Sequence, residues 1–158
     1  MSIPLTPAIH FLRSKGIGFT GHLYKYEEKG GTAASARELN VPEHIVIKTL
    51  VFKMDGKDPI IVLMHGDREV STKELARQIG AKQIGKCEEA EAQRHTGYMF
   101  GGTSPFGTRK PLPVYIESTI LELPEIYING GKRGFLVKIA PGDFSKAFPC
   151  TPVSVAIT

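Results

Sequence analysis

Lys48 stands inside IVIKTLVF (45–52), a run that otherwise reads as a buried strand. Strand alternation puts it on one face with Val46, Leu50 and Phe52. A lysine there must reach water, pair with an acid, or line a cavity. One reading is an edge-strand lysine that discourages edge pairing. The other is an ammonium in a pocket, holding a phosphate or a carbonyl oxygen by charge-assisted hydrogen bonds. A second feature is Gly101-Gly102-Thr103-Ser104-Pro105. Paired glycines let backbone N–H groups approach a ligand and form an anion or oxyanion nest, though a plain turn uses the same residues. The third is Asn129-Gly130-Gly131-Lys132-Arg133-Gly134. A hairpin turn explains its glycines. Lys132 and Arg133 suit a phosphate-backbone contact, or are simply the solvated face of the turn.

Other chemistries find no support. There is no Walker loop, GxSxG or HExxH, and no GxGxxG follows a strand. The five histidines, at 10, 22, 44, 65 and 95, lack metal-ligand spacing, so neither a metal nor a cofactor is expected. Cys87 lies beside Lys86, which would lower its thiol pKa, but it precedes Glu88 and Glu89, which oppose that. Cys87 and Cys150 cannot make a disulfide framework.

These residues must be positioned by one folded unit. The 158 residues fit one domain, and 41% hydrophobic with 23% charged residues is ordinary globular usage. Twenty basic residues against sixteen acidic give +4, a mild lean toward polyanions. No apolar run nears the roughly 20 residues needed to cross a bilayer, and the start, MSIPLTPAIHFLRSKG, lacks signal-peptide character. A cytoplasmic protein without membrane contact is expected. Thr6 and Pro7 predict a helix start, with Leu5, Ile9 and Leu12 at helical spacing and Gly16 as the stop. Strands are expected at 18–26, 45–54, 59–65, 114–117, 125–129 and 135–139, and helices at 32–39, from 71 to 79 and at 88–96. Ser71-Thr72-Lys73-Glu74 has the form of a capping box. Residues 101–113 read as a long ordered loop, and 149–158 carry no assignment. The order of elements predicts an α+β fold, a curved mixed sheet or barrel with helices around it.

Several segments carry a resemblance: TPAIHFL (6–12), HLYKY (22–26), KTLVF (48–52), KELARQIGAKQI (73–84), AQRHTGYMFGGTSPFG (92–107) and IYINGGKRG (126–134). Together they resemble the YbaK family of stand-alone aminoacyl-tRNA deacylases, which is similar to the editing domain inserted in bacterial prolyl-tRNA synthetases. The resemblance implies a single editing domain over 1–158, with a mixed, barrel-like sheet surrounded by helices. It implies that Lys48 is the essential lysine, that the Gly101 backbone lies at the scissile ester, and that Tyr24 lines the pocket. Gly102, Ser104, Asn129 and Gly130 are expected beside them as substrate contacts, with Lys132 and Arg133 toward the tRNA. The implied activity is removal of cysteine from mischarged proline tRNA in trans, assisted by the substrate's own thiol, with prolyl-tRNA synthetase as a possible partner. Two departures bear on amino-acid choice: Asn129 stands where the cysteine-specific members often carry serine, and Gly31 falls near a pocket phenylalanine of theirs. Alternatives are a deacylase for another small residue such as alanine, and a module that binds tRNA or a synthetase without reacting. A small-molecule phosphate binder is a third.

Overall fold

Thr6 and Pro7 open the first helix as their residue types dictate. In the computed structural model, which describes residues 2–158, α1 (Pro7–Ser14) is capped by the Thr6 hydroxyl, which accepts from the Ile9 N–H. Ala8, Ile9 and Leu12 are buried, whereas Leu5 lies outside the packed stripe and is exposed. The chain continues through β1 (Thr20–Leu23), α2 (Gly31–Leu39), β2 (Val46–Met54), β3 (Asp58–His65), β4 (Glu69–Val70), α3 (Thr72–Ile79), β5 (Ile84–Lys86) and α4 (Glu89–Thr96). It ends with β6 (Val114–Glu117), β7 (Ile126–Lys132), β8 (Phe135–Ile139), α5 (Phe144–Ala147), β9 (Cys150–Val153) and β10 (Ala156–Ile157). The expected helices and the longer strands are present. The capping box at Ser71 is half made. Its hydroxyl accepts from the Glu74 N–H at 3.2 Å, but the Glu74 carboxylate turns to Arg77 and Gln78 instead of back to the cap.

The sheet is mixed, with strands in the order β1-β8-β7-β2-β3-β6-β9. It is barrel-like in plan but not closed, because β1 and β9 end the path. One edge of β2 is shared. Val46 and Ile47 pair in parallel with β7, while Phe52, Lys53 and Met54 pair antiparallel with β5. Between these partners, 48–51 have no strand on that side.

β3 is buried on both faces. Ile61 and Leu63 join α1, β7, β8 and Phe106 in the main core, while Ile60, Val62 and Met64 pack with Leu75 of α3 and Val153. A smaller cluster, Ala36, Val46, Tyr127 and Leu136, seats α2 on the sheet. The last ten residues are ordered by pairing. β9 lies parallel to β6, β10 pairs with β4, and the Val155 N–H donates to the buried Glu117 carboxylate at 2.7 Å.

Candidate functional site

The unpaired stretch of β2 forms one wall of a cavity of about 470 Å³. Tyr24 and Tyr26, which follow β1, make another wall. The first turn of α2, the turn at 100–103, Asn129 and Leu136 complete it. A volume of this size is typical of small-molecule and cofactor sites.

Lys48 lines this cavity. The edge-strand reading does not hold, because β2 lies inside the sheet, between β7 and β3. Only the local gap in pairing leaves room beside Lys48. Its side chain is 18% exposed, and its ammonium lies 3.3 Å from the Glu69 carboxylate, which is itself 72% exposed. An ion pair with so exposed a partner is worth about 1 kcal/mol or less, so an anionic ligand can displace it.

Across the cavity, the turn at 99–102 is held on both sides. Its closing bond runs from the Gly102 N–H to the Met99 carbonyl at 2.9 Å. The Phe100 carbonyl accepts from Arg133 Nε at 2.8 Å, and the Gly101 carbonyl accepts from Asn129 Nδ2 at 3.2 Å. Gly101 has φ +87°, and a Cβ there would lie 2.6 Å from the Tyr26 hydroxyl. Its N–H has no acceptor among the described residues. The other end of the Asn129 amide accepts from the N–H groups of Gly131 and Lys132, at 2.6 and 3.1 Å, across a bulge in β7. Asn129 therefore ties the hairpin to the loop.

Of the residues picked from the sequence, Tyr24, Lys48, Gly101 and Asn129 meet in this cavity. Gly102, Ser104 and Gly130 are buried and do not line it. The N–H of Gly102 is already bonded within the turn, and a Cβ there would lie 2.9 Å from the Arg133 nitrogen. The Ser104 hydroxyl accepts from the Phe106 N–H at 3.1 Å in the core. Gly130 packs on Phe135, whose ring would be 2.5 Å from a Cβ, and its carbonyl accepts from the Thr6 hydroxyl. Lys132 and Arg133 are exposed beside the cavity rather than in it. Burial pushes the Tyr24 phenol above its ordinary range, so it is a neutral hydroxyl.

Sequence reading missed Tyr26, Thr49, Phe100 and Thr103. Tyr26 had a signal, its spacing of two from Tyr24 in HLYKY. Thr49 lines the cavity, and its buried hydroxyl has no hydrogen-bond partner among the described residues.

The lining contains no histidine and no cysteine. Burial, then the Glu91 charge, pushes the Cys87 thiol up, and burial pushes Cys150 up to about 11, so neither is an activated nucleophile. The cavity hydroxyl of Thr32 donates to Glu43 and to the Gly66 carbonyl, and that of Ser35 to the Thr32 carbonyl. Among the described residues no three His, Cys, Asp or Glu side chains gather to hold a metal ion. No helix among them is long and apolar enough to cross a membrane.

Residues 27–147 match the model of the aminoacyl-tRNA editing domain, and the chain belongs to that family. It is 27% identical over 137 residues to a protein of Enterococcus faecalis that carries the provisional name Cys-tRNA(Pro)/Cys-tRNA(Cys) deacylase EbsC, covering 86% of this chain and 84% of that one. It is 32% identical over 100 residues to the proline–tRNA ligase of a Sulfurihydrogenibium species, covering 63% of this chain and 17% of the ligase. In structure it superposes with a TM-score of 0.87, at 19% identity, on a protein described provisionally as a trans-editing enzyme for prolyl tRNA synthetase, covering 99% of this chain and all of that one. That likeness establishes the fold: a mixed α+β editing domain.

Proposed function

We propose that this chain acts in trans as a deacylase, cleaving a small amino acid, cysteine foremost, from the 3′ end of mischarged proline tRNA. One observation carries the reading. Lys48 and Gly101 line one cavity whose lining offers no histidine or cysteine. An ester bound there meets a cation and a main-chain donor but no activated nucleophile. Lys48 holds the terminal phosphate or the ester oxygen. The Gly101 N–H donates to the carbonyl oxygen as charge builds there, a contact worth about 10²–10³ in rate where one such donor has been removed. For a cysteinyl ester the nucleophile is the substrate's own thiol. The sulfur–carbon bond forms, the carbon–oxygen ester bond breaks, and the thiol proton passes to the departing ribose oxygen. A cyclic thioester leaves. No cofactor takes part.

Cysteine comes first because the Enterococcus relative carries that name. A pocket separates neighbours differing by one methylene by only about 1–3 kcal/mol, and a thiol that supplies its own chemistry passes that limit. With a net charge of +4 the chain has little intrinsic grip on tRNA. Prolyl-tRNA synthetase, whose family includes related insertions, is the partner suited to select the tRNA. Cleavage then belongs to translation in the cytoplasm.

The test charges proline tRNA separately with cysteine, alanine and proline and follows ester loss beside Lys48→Ala. Loss of the cysteinyl ester alone supports thiol-assisted cleavage. Loss of the alanyl ester moves the specificity, with Asn129 and the open space at Gly31 as its basis. Survival of all three esters overturns the deacylase reading in favour of a non-catalytic binder.

A further inference from the structure

The mouth of the cavity carries an aromatic ring that packing does not explain. Phe106, Phe135 and Phe144 are fully buried, yet Phe100 is 59% exposed and Met99 beside it 56%. Phe100 nevertheless lines the cavity. Its main chain is fixed, since its own carbonyl is bonded to Arg133, the next carbonyl to Asn129, and the turn is closed behind it. The ring is thus presented to solvent from a rigid support. The Arg133 guanidinium that anchors it also lies over the Tyr26 ring, 5.2 Å from its centroid. Among the described residues Arg133, Lys132 and Lys29 have no carboxylate within ion-pair distance, and Lys29 lines the cavity too. Flat aromatic surface next to unpaired cations suits a ligand with a π-face and a phosphodiester chain, which is a single-stranded nucleic-acid end.

We infer that Phe100 is the stacking platform for the 3′-terminal purine of the acceptor end, holding the nucleoside whose ester enters the cavity between Lys48 and Gly101. This rests on the deacylase reading for the identity of the ligand. It adds that the protein grips the terminal base by its face, whereas Lys132 and Arg133 serve the phosphates. Phe100 is a positioning residue, because it acts on the base and not on the reacting ester.

The chain contains no tryptophan, so Phe100→Trp introduces a single indole reporter that still stacks. The probe is an uncharged acceptor-stem minihelix of proline tRNA, compared with the same RNA ending in an abasic ribose. Phe100→Trp fluorescence is expected to be quenched by the intact end and not by the abasic one. Phe100→Ala is expected to weaken binding of the intact end by about 5- to 150-fold, and of the abasic end far less. A thermal melt checks that Phe100→Ala, at an exposed position, remains folded. Equal weakening for both RNAs, or unchanged affinity together with an unresponsive indole, overturns the platform. If that happens while Lys48→Ala still abolishes ester cleavage, the deacylase reading stands without it. If the wild type cleaves no ester but the indole still reports the terminal base, the platform stands and the deacylase reading falls.

Discussion

The Asn129 side chain donates to the carbonyl of Gly101 at 3.2 Å while accepting two N–H groups of its own hairpin. It is thus the strut between the β7–β8 turn and the turn at 99–102. Asn129→Ala removes all three bonds. At about 0.5–1.5 kcal/mol each, less at a half-exposed site, the variant is expected to lose about 1–2 kcal/mol of stability. Its deacylation rate should fall further than that loss alone explains. Asn129→Ser keeps an acceptor for the hairpin, so it should regain part of the lost stability. Urea unfolding beside single-turnover cleavage separates the two effects.

Gly101→Ala meets two obstacles. The steric one is soft, because the Tyr26 hydroxyl is the far end of a side chain. The conformational one is not, since φ +87° costs an L-residue about 1–2 kcal/mol. Removing the hydroxyl with Tyr26→Phe should therefore rescue only a small part of the lost activity. Full rescue would show that the loop tolerates an L-residue there.

Gly130→Ala tests a different kind of glycine. Its new methyl would press on the fully buried ring of Phe135, an overpacking that costs about 1–3 kcal/mol. The melting temperature is expected to drop, while cleavage measured well below it stays near the wild-type rate. A large loss of rate in a folded variant would place Gly130 in the site.

Stability should also depend on pH through His65. Its ring stacks on His44 at 3.8 Å, and its nitrogens meet the His44 carbonyl and the Thr119 hydroxyl. Burial lowers its pKa from the ordinary 6.5, and the neighbouring His44 charge adds to this; the His44 carbonyl bond, Asp67 and Glu117 oppose it. The unfolded chain therefore binds a proton that the folded chain refuses. The resulting stability is intact above about pH 6.5 and declines as pH falls below it. His22 and His95 are lowered mainly by burial too and add to the decline. Denaturant midpoints at pH 7.5 and 5.5 should differ less in His65→Gln than in the wild type.

Long elements were legible because periodicity and punctuation agreed. Thr6-Pro7, Ser71, Gly80 and Gly97 mark helix ends in the sequence and in the fold. β4 and β10 span two residues each and β5 three, too few for a period to register. β9 carries Pro152, which has no N–H to donate and is tolerated because this strand has a single partner, β6. Lys48 was legible as an anomaly. Its environment was not, because the gap beside it arises where two distant strands each stop short along β2. That Ser104 and Gly130 pack away from the cavity was not legible either, because glycine-rich and polar segments serve packing and binding with the same residue types.

That gap along 48–51 separates what is costly to change from what is cheap. Lys48 rides on a strand that is half-buried beyond Ile47 but interior to the sheet, where any shift would propagate into three neighbouring strands. The start of α2 at Gly31, which also lines the cavity, lies outside the sheet. Substitution there can reshape the cavity while the strand that carries Lys48 stays put, so one scaffold can fit different ligands without being refolded.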